Sequence, residues 1–479
     1  MQERACHLPG LDPDALEWHR LSFARGDTMM DIAVPVLGPG EIDRLAAHVR
    51  DNAAARLRAM PVARIVEAID AAIVRLLDRQ DPYRRKMEQM LPAVTGYDPE
   101  MVRLGLTRYL MTFRKPELLR FLAEDFPNPA ILDGFQPLPK GGYGKAFGPP
   151  LLAHIWAGNV PGLPLWSMVC GLLVKSGTIG KVSSAEPLFA GWFAQVLAEV
   201  APDLAECLAV VWWQGGESAP EQAMLGAADL TLAYGSNTSL AAIAGRMPPG
   251  KRLLRFGHKV SFAMIAAVAL DPAKVADTAR RAARDIARYD QQGCFAPHVV
   301  FVERGGRLCP RSFARYLARA LDAFGHRFPA RALTMAETAS FAAWRQQEEF
   351  THGAEVMGDA HGGWTVSFHN AGQGFGPSCL NRSVRVVAVD DLANVPGLVA
   401  PFRALLQTVG IAASPDELFR LAGLLGDAGV TRIAALGDMT TPEAGWHHDG
   451  RCNLSDLVQI TEIDARAPPA ADKLAFYDD

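Results

Sequence analysis

One cysteine stands where a side chain can do chemistry. Cys294 follows the tripeptide QQG in a loop between a predicted helix and the predicted strand HVVFVE. A thiol in such a loop is accessible to a substrate, and sulfur is nucleophilic even when little of it is thiolate at pH 7. Cys170 and Cys207 lie instead on apolar helix faces, where cysteine is usually a small buried hydrophobe. The sequence therefore makes Cys294 a candidate nucleophile.

A glycine-rich loop is the second candidate. The segment WAGNVPG, residues 156–162, follows an apolar strand pattern and precedes a predicted helix. Free backbone N–H groups at such a strand-to-helix turn stabilise anionic ligands. The loop lacks the full dinucleotide glycine fingerprint, so an ordinary glycine-rich turn is the alternative interpretation. If the sheet is parallel, further strand ends share this edge, at Lys181, Gly215-Gly216 and Gly235-Ser236.

Other motifs carry less chemistry. His447 and His448 are adjacent, so their side chains diverge on either a strand or a helix. The spacing of Cys and His matches no zinc site, and the sequence predicts no metal. It contains no G-x-S-x-G elbow, P-loop or kinase motif set.

The elements that position these residues fall into two patterns. Residues 1–127 predict a mostly helical N-terminal segment, with apolar residues at helical spacing after Pro61. Residues 128–150 are rich in Pro and Gly and predict a hairpin around Gly141-Gly142. From residue 151, strands alternate with helix-length spacers, which favours an α/β fold with a parallel, doubly wound sheet. The alternation resumes after Asp271 and predicts a second α/β domain.

Composition excludes several classes of protein. The chain has 479 residues, 49% of them hydrophobic and 21% charged, with a formal charge of −4. These values exclude disordered, collagen-like and small disulfide-rich chains and give no basic face for nucleic acid. Seven scattered cysteines indicate a reducing compartment. The uncharged stretch 146–174 contains four prolines and is not expected to span a membrane, so we expect a soluble, cytoplasmic protein.

An ordered set of motifs resembles a known family. The segments are IWAGNVPGLP, TIGKVSSAEP, AYGSNTSL, RYDQQGCFAPH and GWHHDGRCNLSDLVQITEID. In this order they resemble the aldehyde dehydrogenase superfamily, and more closely the LuxC acyl-CoA reductases of bacterial luminescence, which reduce fatty acyl thioesters to aldehydes with NADPH. The resemblance implies an aldehyde-dehydrogenase-like fold. Its parts are a helical N-terminal segment at 1–127, an oligomerisation hairpin at 128–150, a Rossmann-type NADP-binding domain at 151–262, a catalytic domain at 263–455 and a C-terminal oligomerisation tail at 456–479.

The resemblance also implies roles for individual residues. It places the catalytic thiol at Cys294 and makes the Asn159 side chain a donor to the oxyanion. Lys181 matches a lysine that contacts the adenosine ribose or its 2′-phosphate. Ser183 and Ser184 stand where many NAD-preferring relatives have an acidic residue, which makes NADPH the favoured cofactor. The positions near the nicotinamide arm and the pyrophosphate are Trp156, Gly215, Gly216, Gly235 and Ser236.

Two departures from the family pattern affect the expected reaction. Aldehyde-oxidising relatives carry a glutamate that activates water, and Arg255 occupies that position here. An arginine cannot take a proton from water at neutral pH, so an acyl-enzyme would be protected from hydrolysis. The glutamate that many relatives use to hold the nicotinamide ribose has no convincing match near Ser378.

The resulting hypothesis is an NADPH-dependent reduction of an acyl-CoA or other acyl thioester to the aldehyde, through an acyl-cysteine on Cys294. One alternative keeps the fold but oxidises an aldehyde to an acid or acyl-CoA. Another is a non-catalytic, acyl-carrying subunit. The resemblance further implies an acyl-protein synthetase as a partner and a homo-oligomer.

Overall fold

The computed structural model describes residues 3–25, 28–359, 362–371 and 375–475. The chain divides into two compact units. Unit 1 contains residues 1–95, 106–257 and 443–479, and unit 2 contains residues 96–105 and 258–442. No helix among the described residues is both long and apolar enough to cross a membrane.

The strands of the two units are numbered in chain order. They are β1 (Glu3–Arg4), β2 (Glu17–Arg25), β3 (Thr28–Val36), β4 (Gln136–Pro137), β5 (Tyr143–Phe147), β6 (Leu151–Ile155), β7 (Gly177–Lys181), β8 (Leu208–Val211), β9 (Leu230–Tyr234), β10 (Arg252–Phe256), β11 (Val260–Ile265), β12 (Pro297–Glu303), β13 (Ala354–Gly358), β14 (Thr365–His369), β15 (Ser383–Val389), β16 (Leu406–Ala412), β17 (Arg432–Ala435) and β18 (Gln459–Ile463).

The α-helices are numbered in the same way. They are α1 (Pro39–Asn52), α2 (Val62–Leu77), α3 (Pro82–Thr95), α4 (Pro99–Met111), α5 (Lys115–Asp125), α6 (Pro164–Leu173), α7 (Phe189–Val200), α8 (Pro202–Ala205), α9 (Ser218–Ala227), α10 (Asn237–Arg246), α11 (Val275–Ala287), α12 (Pro310–Arg327), α13 (Met335–Phe350), α14 (Val395–Val399), α15 (Pro415–Ala428) and α16 (Ala467–Asp472).

Unit 1 is built on a parallel five-stranded sheet in the order β10-β9-β6-β7-β8. The chain runs outward from β6 through β7 to β8, and then returns to the other side of β6 for β9 and β10. The order therefore reverses between β6 and β9, and a crevice at such a switch point is where open α/β sheets bind ligands. Helix α1 covers one face because Ile42, Leu45 and Val49 recur at helical spacing and pack against the sheet.

Unit 2 is built on a seven-stranded sheet in the order β13-β14-β15-β12-β11-β16-β17. All neighbouring strands are parallel except β13, which pairs antiparallel with β14. Helices α11 and α12 bury one face of this sheet, and α14 and α15 bury the other. The two sheets confirm the predicted α/β class, because parallel strands need helical crossovers that cover both faces.

The N-terminal region contains a hairpin in addition to the predicted helices. Helices α1 to α5 are present, but β2 and β3 form an antiparallel hairpin before them, paired from Glu17–Val36 to Arg25–Thr28. Strand β3 is the central strand of this sheet, and its residues Ile32 to Val34 are buried. Residues 443–455, predicted in the catalytic domain, belong to unit 1 instead.

The hairpin predicted around Gly141-Gly142 is present. Strands β4 and β5 pair antiparallel across it, and both glycines adopt positive φ angles that suit a tight turn. The C-terminal strand β18 pairs with β5 and completes a three-stranded sheet. Strand β18 lies in the segment LVQITEID of the predicted C-terminal tail, while a role of this sheet in oligomers stays a prediction.

Candidate active site

The carboxyl ends of the parallel strands gather the predicted cofactor residues at one edge of unit 1. Trp156 follows β6, Lys181 ends β7, and Gly235 follows β9. Gly215 lies in the segment between β8 and α9. Because all these strands run in the same direction, the structure brings the predicted positions to the same side of the sheet.

The loop after β6 is shaped by its neighbours. The Trp156 ring is buried at 2% exposure, lies against Gly180 and donates its Nε1–H to the Ser167 hydroxyl at 2.8 Å. A Cβ on Gly158 would meet the Ser183 hydroxyl at 2.8 Å, so glycine lets this loop approach the segment after β7. Asn159 is exposed in the loop, whereas Trp156 is buried.

A buried carboxyl holds the far end of this loop. Glu186 is 3% exposed and accepts N–H groups from Leu188 and Phe189 at 2.8 and 2.9 Å, and also the amide of Gly162. Burial raises the pKa of Glu186, and these three amides oppose the rise. This residue was not predicted from the sequence, although it belongs to the motif TIGKVSSAEP.

The residues predicted to contact the adenosine ribose lie together after β7. Burial lowers the pKa of Lys181, while the carboxylates of Glu221 and Glu217 raise it. Glu221 is itself paired with Arg246 at 2.6 Å. The Ser184 hydroxyl accepts the Trp212 indole N–H at 3.0 Å, which fixes its position. Positions 183 and 184 thus offer hydroxyl groups beside an ammonium group.

The remaining cofactor positions leave room for a ligand. Nothing lies within 4 Å of a Cβ built on Gly215 or Gly216, so packing does not require glycine at Gly215. Ser236 caps the ten-residue helix α10, its hydroxyl accepting the Ser239 amide at 3.1 Å. A helix N-terminus, an ammonium group and hydroxyls on one sheet edge fit the phosphates and ribose of a dinucleotide.

Cys294 lies in unit 2, half-buried, between α11 and β12. The turn that precedes it is unusual because Tyr289, Asp290 and Gln291 have φ angles of 48°, 48° and 67°. Residues other than glycine rarely adopt this left-handed region of backbone conformation. Buried contacts hold the turn: Asp290 pairs with Arg382 at 2.7 Å, and the two side chains are 2% and 1% exposed.

Hydrogen bonds fix the chain on both sides of the thiol. The buried amide of Gln291 donates to the carbonyls of Pro297 and Ser383 at 2.7 and 2.9 Å, and its oxygen accepts the Ser383 amide at 2.9 Å. The Ser261 hydroxyl donates to the carbonyl of Cys294 itself at 2.8 Å. The backbone that carries the thiol is therefore tied to strands β11, β12 and β15.

A buried histidine accompanies Ser378. The Nδ1 atom of His298 accepts the Ser378 amide at 3.0 Å and lies 3.1 Å from its hydroxyl. The pKa of His298 is lowered to about 3, mainly by burial and further by the charges of His258 and Arg385. His298 is thus a neutral acceptor that holds the Ser378 segment to β12.

Arg255 lies on β10, one residue before that edge strand ends, and is exposed. In the strand register it is opposite Ala233 of β9. Its replacement of a water-activating carboxylate stays a prediction. The same holds for the cooperation of Asn159 with Cys294, because the two residues belong to different units.

The structure adds a pocket that the sequence analysis missed. It encloses about 350 Å³, including the space at its mouth, between helix α6, strands β9 and β10 and the closing loop, residues 446–453. One wall is an aromatic stack in which Phe256 lies 4.6 Å from Tyr234 and 4.8 Å from His448, between ring centroids. The only indication in the sequence is the aromatic and histidine content of GWHHDGRC.

Comparisons of the sequence identify related proteins. The sequence model described as acyl-CoA reductase (LuxC) matches residues 57–460. A long-chain acyl-protein thioester reductase from Aliivibrio fischeri is 29% identical over 382 residues, covering 79% of this chain and 77% of the relative. Another from Photorhabdus luminescens is 26% identical over 432 residues, covering 89% and 86%.

Comparisons of the structure identify the fold. Aldehyde dehydrogenase 21 from Physcomitrella patens matches with a TM-score of 0.73 and 14% identity, covering 97% of this chain and 98% of that one. A gamma-glutamyl-gamma-aminobutyraldehyde dehydrogenase from Burkholderia cenocepacia matches with a TM-score of 0.74 and 14% identity, covering 96% of each chain. The fold is that of the aldehyde dehydrogenases, as predicted.

Proposed function

Since this chain belongs to the acyl-CoA reductase (LuxC) family, we propose that it reduces an acyl thioester to the aldehyde with NADPH, through an acyl-cysteine on Cys294. The observation that carries the proposal is the half-buried Cys294 on a backbone held by hydrogen bonds from three strands. Such a turn presents a nucleophile in one position, which an attack on a bound carbonyl requires.

The thiol performs the first half of the reaction. The Cys294 thiol gives up its proton to solvent and its sulfur bonds to the thioester carbonyl carbon. The carbon–sulfur bond to the leaving thiol then breaks, and that thiolate takes up a proton from solvent. The side-chain amide of Asn159 and the N–H of Cys294 are the proposed donors to the oxyanion. One such donor lowers the barrier by about 2.7–4 kcal/mol in enzymes where it has been removed.

The edge of the sheet in unit 1 holds the cofactor in this proposal. When bound there, the nicotinamide would supply the hydride that reduces the acyl group. The carbon–sulfur bond to Cys294 then breaks, the aldehyde leaves, and the Cys294 sulfur takes up a proton. Lys181 is the proposed contact of the 2′-phosphate, and Ser183 and Ser184 would add hydroxyls without the repulsion of a carboxylate at their own positions. The nearby carboxylates of Glu221 and Glu217, which both raise the pKa of Lys181, are the charges that would oppose a bound 2′-phosphate.

Arg255 decides between reduction and hydrolysis in this proposal. A guanidinium accepts no proton from water, so the acyl-cysteine stays intact until the hydride arrives. The same residue disfavours the oxidation of aldehydes to acids, which requires water to attack that acyl-cysteine.

The substrate we propose is a long-chain acyl group carried by a protein thiol or by coenzyme A. The support is that the relatives are named long-chain acyl-protein thioester reductases. The near-neutral charge of the chain gives no preference between the two carriers.

The test is an acylation assay without reductant. We expect tetradecanoyl-CoA to release about one thiol per chain, to leave a mass adduct on the Cys294 peptide, and to lose that adduct when NADPH is added. Cys294→Ala removes the release. The matched control is Cys309→Ala, because the Ser312 hydroxyl lowers the pKa of the exposed Cys309 thiol and makes it the competing nucleophile.

Other outcomes would contradict the proposal. Thiol release and aldehyde formation that persist in Cys294→Ala would exclude the acyl-cysteine. Sustained NADPH formation from aldehyde and NADP without coenzyme A would favour the aldehyde oxidiser. Acylation without any binding of NADPH in a fluorescence titration would favour the acyl-carrying subunit.

A further inference from the structure

Three side chains in unit 1 offer ligand atoms to one point. They are Asp125 at the end of α5, and His447 and Cys452 at the two ends of the closing loop. A carboxylate oxygen, an imidazole nitrogen and the sulfur all lie within 4.8 Å of one another, and each residue is half-buried. None of the three has a role in the proposed reduction.

The loop is folded in a way that brings its two ends together. The Asn453 side-chain amide donates to the Trp446 carbonyl at 2.8 Å and closes the loop. Its oxygen accepts the Trp166 indole N–H from α6 at 3.0 Å. His447 and Cys452 are the chain neighbours of the two bonded residues, so this crosslink brings them close together.

The Asp125 carboxylate is only half satisfied. Its Oδ2 atom accepts the amides of Leu454 and Ser455, at 2.5 and 3.0 Å. Its Oδ1 atom is buried and has no hydrogen-bond partner among the described residues. A buried carboxylate oxygen without a donor is unfavourable, and a cation is one of the few groups that satisfies it.

We propose that Asp125, His447 and Cys452 bind a zinc ion. Thiolate, imidazole and carboxylate are the donors that Zn²⁺ takes, whereas a thiolate is a poor ligand for Mg²⁺ or Ca²⁺. Tetrahedral zinc bonds separate the ligand atoms by about 3.3–3.7 Å, so the three side chains close by roughly 1 Å on binding. The Cys452 thiol loses its proton to solvent, and water takes the fourth position.

The ion would fasten the closing loop to the end of α5. The same loop lines the pocket, with His448 stacked on Phe256 and with Cys452 in the lining. Zinc would therefore hold one wall of the pocket in place. The sequence alone does not suggest this site, because Asp125 is far from the loop in the chain and the HHDGRC spacing matches no zinc motif.

The test measures metal directly, in the full chain carrying Cys294→Ala so that the reactive thiol does not compete. After loading with Zn²⁺ and dialysis, we expect about one zinc per chain by mass spectrometry. Cys452→Ser and His447→Asn should each weaken zinc binding at least about tenfold in a chelator competition. Cys309→Ser is the control that leaves the zinc content unchanged.

A second readout identifies the ligand. Co²⁺ in place of zinc should give a thiolate-to-cobalt charge-transfer band that disappears in Cys452→Ser, while the circular dichroism of the variant matches that of the parent. The proposal is overturned if the parent retains no zinc. Zinc content and a cobalt band that survive Cys452→Ser would overturn it as well, because the metal would then lie elsewhere.

Discussion

The buried ion pair beneath the Cys294 turn gives the sharpest test of how the thiol is positioned. Asp290→Asn keeps the shape of the side chain and tolerates the positive φ of this position, but removes the charge that faces Arg382. Arg382 is 1% exposed, so its guanidinium is left in the interior without a counter-ion.

The expected magnitude follows from the contacts of the pair. Removing one partner of a buried ion pair costs about 3–5 kcal/mol. The NH2 group of asparagine cannot accept from the Arg331 amide, which loses its acceptor. The remaining oxygen can still accept from the Arg382 Nε, and Arg382 keeps the Phe328 carbonyl at 2.9 Å. We therefore expect a cost at the lower end of this range, about 3 kcal/mol. This corresponds to a roughly 150-fold larger population of molecules in which the turn and its strands are opened.

Hydrogen exchange is the appropriate assay because a chain with two units need not unfold in one step. Peptides from β12 and β15 should exchange faster by about two orders of magnitude in Asp290→Asn, while peptides from α7 in unit 1 stay unchanged. Adding Arg382→Met removes the buried charge and should recover part of the loss. The exposed pair of Asp277 with Arg281 supplies the control, Asp277→Asn, which should change stability by less than about 0.5 kcal/mol.

Two results would contradict this role of the Asp290–Arg382 ion pair. Unchanged protection of β12 and β15 in Asp290→Asn would mean that the pair does not hold the turn. A double variant as unprotected as the single one would mean that the loss comes from something other than the charge left on Arg382.

Three further variants test the chemistry and the electrostatics. Arg255→Glu should let water reach the acyl-cysteine, so that thiol release without NADPH rises at least about tenfold over Arg255→Gln; equal rates would place position 255 away from the reaction. Ser183→Asp should raise the KM for NADPH by about tenfold and leave that for NADH nearly unchanged, and a parallel change in both would argue against a 2′-phosphate contact. Burial raises the pKa of Asp285 from 3.8 to about 7, so the folded unit holds a proton that the unfolded chain has released and stability falls as pH rises across that window. Asp285→Asn should flatten the pH dependence of the unfolding midpoint between pH 4 and about 7, and an unaltered slope would contradict the assignment.

Much of the architecture follows from local sequence pattern. Alternating strands and helix-length spacers lead to parallel sheets, since each crossover needs a helix, and the strand ends then fall on one edge. Lys181 and Gly235 were placed on that edge by this reasoning alone. The hairpin of β2 and β3 was missed, although each strand has nine residues, because the apolar residues of β2 do not alternate strictly and the hairpin lies directly before a long helical region.

The closing loop shows a different limit. Asp125 comes close to His447 and Cys452 only when the chain folds. The number of residues between Asp125 and the loop follows no spacing pattern that a sequence motif could capture. Motifs reveal ligands that lie on one element or in one loop, whereas a ligand contributed by a distant helix end leaves no pattern. The same reason hides Glu186, whose partners are backbone amides rather than side chains.

The turn before Cys294 also depends on contacts with residues that are distant in the sequence. Three successive residues with positive φ, none of them glycine, cost of order 1–3 kcal/mol each, and no local preference of Tyr289 or Gln291 offsets that cost. The compensation comes from Arg382 and Ser383 at the start of β15, through the ion pair and the hydrogen bonds of Gln291. The position of the thiol is therefore a property of the seven-stranded sheet. A substitution at the start of β15 should alter the reactivity of Cys294 as strongly as one beside it in the sequence.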